Sequence, residues 1–289
     1  MSTQGAGGHF ILALSCPDAT GIVAAVTAFI AGRGGTITEA AHFVDEHCDR
    51  SFMRTSFRGD ALPDQQGLVE AFRPVAQQFR MDWQLHEADT KCRVLIAVSR
   101  EGHCLNSLLH RWSIGAMPID VVGVVSNHDT HRSLCEWYGL PFHHFPITAG
   151  DKAGQEARIL ALFEETRADL LVLARYMQIL GDAACQRLAG RCINIHHSFL
   201  PGFKGARPYH QAYERGVKVI GATAHYVTPD LDEGPIIEQG VERVDHTMLP
   251  PDLVEIGHDL ESVVLNRAVR WHAEHRIFAA GGRTVVLRS

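Results

Sequence analysis

Residues 169–173 read Asp169-Leu170-Leu171-Val172-Leu173, an unbroken apolar run behind a single carboxylate. A strand with one wet face alternates apolar and polar residues, whereas a strand covered on both faces does not. Arg93–Val98 and Asp120–Val125 have the same continuous character. Helical patterns lie among them at Leu105–Trp112, Arg132–Tyr138 and Gln155–Thr166. Buried strands alternating with helices predict a doubly wound, mostly parallel sheet with helices on both faces. Cys192–His196 and Val219–Val227 add two strands around a Pro/Gly-rich loop, Ser198–Pro208. A long helix is expected over Pro251–His275, with Leu253, Ile256, Leu260 and Val264 on its apolar side.

Upstream the rhythm differs. After a short polar stretch, expected to be flexible over residues 1–8, comes the apolar strand His9–Cys16, ended by Pro17. Asp18 is a candidate N-cap for a helix carrying Ile22, Val26, Phe29 and Ile30 on one face. Gly32, Gly34 and Gly35 stop that helix. Thr36–Val44 and Ser51–Arg58 read as strands around a charged turn. Leu68, Phe72, Val75 and Phe79 mark a second helix, and Met81–Leu85 a last strand. The order βαββαβ predicts a small ferredoxin-like sandwich with a four-stranded antiparallel sheet. The chain is therefore α/β throughout: a small domain at 9–86, a linker at 87–91 and a Rossmann-like domain at 92–289.

With 289 residues, two domains are the ordinary expectation. The 27 Lys and Arg against 33 Asp and Glu give a net charge of −6, and no long basic run appears, which argues against nucleic acid or an anionic membrane as partner. The 7 cysteines are scattered, odd in number and never spaced as CxxC, so free thiols are expected rather than disulfides or zinc. No stretch approaches the length of a membrane span or resembles a signal peptide. The expected location is cytoplasmic.

The most informative segment is Ile193-Asn194-Ile195-His196-His197-Ser198-Phe199-Leu200-Pro201. Strand residues i and i+2 share a face, so Asn194 and His196 point together while Ile193 and Ile195 enter the core. The strand ends at the carboxyl edge, where open α/β sheets bind ligands. An amide beside an imidazole suits oxyanion stabilisation and proton delivery. An isolated N-x-H fits equally a pair of side chains that satisfy backbone groups at a strand end. Asp232, in Thr228-Pro-Asp-Leu-Asp-Glu-Gly-Pro235, sits in a turn closed by Gly and Pro, either as a plain turn former or as an aimed carboxylate. Together the three side chains form a candidate acid/base set for attack on an acyl carbon.

The run from Ile193 to Gln239, with its N-x-H and L-D-x-G-P signatures, resembles the formyltransferase superfamily that uses 10-formyltetrahydrofolate, and within it the formyltetrahydrofolate deformylases. The first block resembles an ACT domain, and the likeness covers about residues 9–289. It implies hydrolysis of 10-formyltetrahydrofolate to tetrahydrofolate and formate, in one-carbon and purine metabolism. Asn194, His196 and Asp232 match the catalytic Asn, His and Asp. Met177, Gln178, Ile179 and Leu180, after the DLLVL strand, match the folate-binding segment. His197 belongs to the deformylase pattern, with a loop-shaping role as its plain reading. No cofactor beyond the folate substrate is implied, and no metal, since the 18 histidines show no ligand spacing.

A relative that formylates glycinamide ribonucleotide would need an anion cradle after the first strand of the domain. Here Ser99-Arg100-Glu101-Gly102-His103-Cys104-Leu105 keeps one glycine and places Glu101 beside it. Water thus becomes the expected nucleophile. A non-catalytic amino-acid sensor would have lost Asn194, His196 or Asp232. The ACT likeness implies a homo-oligomer and marks Asp18, Gly21 and Ile22 as a regulatory turn for glycine or methionine.

Overall fold

The computed structural model describes residues 8–147, 151–202 and 208–288. The chain divides into two compact units. One comprises residues 1–91 with Glu274–Ala280 and Val285–Ser289, the other Cys92–Ala273 with Gly281–Thr284.

The first unit runs β1 (Gly8–Pro17), α1 (Ile22–Ala31), β2 (Thr36–Asp45), β3 (Arg50–Gly59), α2 (Gln65–Gln78) and β4 (Asp82–Glu87). The four strands form one sheet in the order β2-β3-β1-β4, the βαββαβ pattern expected. Its core joins Leu12 and Leu14 of the sheet to Ile22, Val26 and Ile30 of α1 and Leu68 and Phe72 of α2. Phe72 meets Phe29 and Trp83 edge to face at 4.9 and 4.8 Å, a favoured aromatic geometry.

Two expectations need correction. Of the stretch expected to be flexible, residues 1–7 lie outside the described residues, and Gly8 already pairs with Gly59 in the sheet. Asp18 does not cap α1. Gly21, at φ +97°, takes that position with no side-chain hydrogen bond, and the Asp18 carboxylate instead accepts from the Ser51 hydroxyl. The second helix starts at Gln65, because Asp64 caps it by accepting from the Gly67 N–H at 2.8 Å.

The tail also differs from a simple continuation of the second block. Arg276 pairs with Glu39 of β2 at 2.8 Å, and Arg54 of β3 binds the same carboxylate at 2.8 Å. The two arginine side chains are only 4% and 6% exposed, so Glu39 separates two buried like charges. The hydrogen bond from Arg276, with both charges, holds the Glu39 carboxyl below its usual range.

The second unit contains β5 (Cys92–Val98), α3 (His103–Ser113), β6 (Ile119–Ser126), α4 (Arg132–Trp137), β7 (Phe142–His144), α5 (Lys152–Glu165), β8 (Leu170–Leu173), α6 (Asp182–Arg187), β9 (Cys192–His196), α7 (Pro208–Glu214), β10 (Val219–Tyr226), β11 (Ile236–Arg243) and α8 (Pro250–Ala273). A hairpin of β12 (Ile277–Ala280) and β13 (Arg283–Val286) ends the described chain.

The seven-stranded sheet has the order β11-β10-β9-β8-β5-β6-β7. Strands β7, β6, β5, β8 and β9 are parallel, while β10 runs antiparallel to both β9 and β11. Chain order reverses beside β5, and that switch point opens a crevice at the carboxyl ends of β5 and β8. The continuous runs are buried as expected: Val94–Val98 and Leu170–Leu173 are fully enclosed. The short elements β7, α6, α7 and β11 escape the sequence pattern, because three to eight residues give too little periodicity to read. Pro208, read as the end of a loop, opens α7, where its missing N–H costs nothing.

Replacing Glu39 by Gln leaves Arg54 and Arg276 facing each other. Since Glu39 is about one third exposed, we expect a loss of about 1–3 kcal/mol in a pH 7 melt, below that of a fully buried pair. The folded carboxyl is depressed, so this stabilisation is present above the ordinary glutamate range and disappears as pH falls through the lower folded value. Equal melting of variant and parent at pH 7 would refute the pairing.

Candidate active site

Asn194 lies level with Leu173, the last residue of β8, so His196 stands just beyond the end of the neighbouring strand. On the other side β10 supplies His225 directly opposite Asn194, and Asn194 Nδ2 lies 3.3 Å from His225 Nε2. A register shift at Ala224/His225 separates β10 from β11 at this point. The turn after β10 then folds back. Asp232 adopts a left-handed φ of +58°, and its Oδ1 comes within 3.3 Å of His196 Nδ1 and 3.8 Å of His225 Nε2. Gly234 makes the return feasible: a Cβ there would sit 1.7 Å from the Tyr226 carbonyl oxygen.

The loop after β9 is anchored by the buried Thr223 hydroxyl, which donates to the Ser198 carbonyl and accepts from the Leu200 N–H. His197 is buried beside His196, with ring centres 5.1 Å apart. Among the described residues, His196 Nε2 and His197 Nδ1 have no hydrogen-bond partner.

These groups form one wall of a cavity of about 590 Å³, and the predicted segment Met177–Leu180 forms another. That segment is held at both ends. The Met177 N–H donates to the Ser99 hydroxyl at 3.0 Å, and the Gly181 N–H donates to the Glu156 carboxylate at 3.1 Å. Met177 and Ile179 are 54% and 56% exposed, although both are large and apolar. Leu180 is buried, packs into the core and still borders the cavity, as does Gln178. A pocket with an apolar rim and a few convergent polar groups suits a flat heterocycle.

Charge is distributed unevenly here. The hydrogen bond from His196 holds the Asp232 carboxyl below its usual range against the opposing effect of burial, so it is ionised at neutral pH. Burial pushes His225 down, and the contact with Asp232 partly opposes this. His197 is pushed down to about 4 by burial, with the charges of Arg175 and His196 adding to the shift.

The comparisons with known proteins agree with this geometry. Residues 92–269 match the Formyl transferase family model. Over 279 residues the chain is 55% identical to the formyltetrahydrofolate deformylase of Corynebacterium sp. (strain P-1), spanning 96% of this chain and 98% of that one. This chain belongs to the formyltetrahydrofolate deformylase family. The deformylase crystal structure from Burkholderia mallei superimposes with a TM-score of 0.92 at 52% identity, covering 97% of this chain and all of that one. A glycinamide ribonucleotide transformylase from Symbiobacterium toebii reaches 0.66 at 30% identity and covers 68% of this chain.

Within this deformylase-family site, the sequence reading missed His225, Arg175, Tyr209, His103, His258 and Glu261. His225 becomes visible only through the antiparallel register that sets it opposite Asn194. The others meet around Glu261 from distant parts of the chain: His103 Nε2 at 2.8 Å, Tyr209 Oη at 2.6 Å and Arg175 Nε at 3.4 Å. Spacing also concealed a grouping of Glu101, His103 and His258, whose ligand atoms lie within 4.8 Å of one another. The two imidazoles stack nearly parallel, 3.9 Å apart, so a single ion cannot lie in both ring planes.

Of the regulatory turn, Ile22 is buried in the core. Asp18 and Gly21 are exposed, with Gly21 left-handed.

An NMR titration should show the His197 ring neutral down to a midpoint near pH 4. A midpoint near the ordinary histidine value of about 6.5 would contradict the enclosed environment.

Proposed function

We propose that this chain hydrolyses 10-formyltetrahydrofolate to tetrahydrofolate and formate, with Asn194, His196 and Asp232 as its catalytic residues and Met177–Leu180 as folate contacts. The observation that carries the reading is the convergence of those three polar groups on a cavity whose opposite rim is apolar.

The ionised Asp232 carboxylate orients the His196 ring through Nδ1 and accepts a proton as water attacks the formyl carbon. A carbon–oxygen bond forms, and the carbonyl electrons move onto the formyl oxygen. The Asn194 amide donates a hydrogen bond to that oxyanion. Collapse breaks the bond from carbon to N10, and His196, through Nε2, hands a proton to the departing amine. Formate leaves as an anion, and one proton is released overall. The reaction as written draws on no metal. His225 lies beside both residues, 3.3 Å from the Asn194 amide nitrogen and 3.8 Å from the Asp232 carboxylate.

Asp232→Asn and Asn194→Ala should fold normally and lose about 10²–10⁴ and 10²–10³ in kcat respectively. Formate should appear from 10-formyltetrahydrofolate with no amine supplied. Release that requires glycinamide ribonucleotide would assign a transferase, and silence with or without it a non-catalytic role. Near-parental turnover in either variant would remove those residues from the chemistry.

The βαββαβ unit is read as an ACT-like regulatory and oligomerisation module. Glycine or methionine would be held by the Asp18 carboxylate and the Gly21 backbone, because the Ile22 side chain is committed to the core. Equilibrium dialysis should detect one of these amino acids binding the full chain, with loss in Asp18→Ala. Absence of binding to the parent protein would leave the unit a structural role.

A further inference from the structure

Arg175 is the one permanent cation among the described residues lining the cavity, which it shares with the carboxylates of Asp232 and Glu101. Its side chain is 11% exposed and Glu261 is 0% exposed. The Glu261 carboxylate is already engaged by His103 and Tyr209, and Arg175 pairs with it through Nε at 3.4 Å. That nitrogen makes no hydrogen bond, and the contact with Glu261 is the only pairing of the guanidinium among the described residues. The two terminal nitrogens of a nearly enclosed arginine are thus left unspent.

The backbone gives a second, independent sign. Arg175 stands at φ +62°, a region that costs a non-glycine residue about 1–2 kcal/mol. Neither Ser99, which takes the Met177 N–H, nor the Arg175 carbonyl, which accepts the Ser99 N–H, requires an arginine side chain. Glu261 holds the guanidinium from α8. Gly257, one turn earlier, admits the Tyr209 ring that shares its carboxylate: a Cβ there would lie 2.2 Å from that ring.

We propose that Arg175 forms a carboxylate subsite that receives the formate anion as its carbon separates from N10, with Glu261 as the positioning residue. The inference rests on the hydrolytic reading above. Hydrolysis turns a neutral formyl group into a planar anion in a cavity bordered by two carboxylates, and a product of that charge needs a cation. A guanidinium offers two parallel N–H groups that match both carboxylate oxygens, which an ammonium does not. Neutral His197 does not compete for the anion. The glutamyl tail of a folate carries the same chemistry, but an almost enclosed arginine favours a one-carbon acid over a long flexible chain.

Sodium formate is the probe, read in two ways. As product inhibitor, its inhibition constant should rise at least about 10-fold in Arg175→Met, and less in Arg175→Lys. It should also rise in Glu261→Gln, where the guanidinium is present but released. Arg175→Met combined with Glu261→Gln removes the buried charge imbalance and serves if the single variant fails to fold. Independently of turnover, saturation transfer from the protein to the formate C–H proton should be seen with the parent chain and lost in the double variant. This readout survives even if the protein hydrolyses no folate, so failure of the two readings is distinguishable. Unchanged formate inhibition and transfer in the double variant would overturn the subsite. So would an Arg175→Met effect confined to KM that vanishes with 10-formyltetrahydropteroate, which lacks the tail.

Discussion

The site depends on one pairing: β10 lies antiparallel against β9 at the end of an otherwise parallel run. In that register Asn194 and His225 face each other, with His196 two residues further along the same face. A parallel neighbour would have ended at the carboxyl edge, whereas β10 runs back toward the start of β9. The antiparallel strand instead leads into a turn that folds back, and left-handed Asp232 reaches both imidazoles. Burial alone would raise the carboxyl of Asp232, but the hydrogen bond and charge of its histidine neighbours outweigh it. The result is an ionised base next to an imidazole whose second nitrogen has no hydrogen-bond partner among the described residues.

Around that centre the cavity separates its tasks. The segment after β8 is pinned by Ser99 and Glu156, and it presents apolar Met177 and Ile179 where a flat ring can lie. Behind it, the buried Glu261 gathers His103, Arg175 and Tyr209, of which Arg175 and Tyr209 border the cavity. The apolar side binds and the polar side handles charge, so orientation of the substrate follows from the division itself.

The sequence carried the architecture wherever an element was long or strongly patterned. The unbroken runs at Val94–Val98 and Leu170–Leu173 announced buried parallel strands, and Cys192–His196 was legible to the residue. Asn194 and His196 were readable as a pair because a strand has period two, and Asp232 because a Gly-Pro closure stiffens its turn. His225 was not, since a partner across a sheet is fixed by register rather than by spacing. Glu261 was hidden on a helix whose other residues follow an ordinary apolar stripe. Its partners lie 52 to 158 residues away, and no local pattern records such a meeting. Asp18 illustrates the opposite error: a good capping residue was available, but Ser51 across the sheet claimed its carboxylate.

The most direct measurement is a single turnover of 10-formyltetrahydrofolate in ¹⁸O-enriched water, with the oxygen content of the released formate read by mass spectrometry. If the converging amide, imidazole and carboxylate direct water onto the formyl carbon, formate formed without any amine present carries one ¹⁸O atom from solvent. Formate lacking the label, or labelled formate produced as fast once the Asp232 carboxylate is replaced by an amide, would contradict the account.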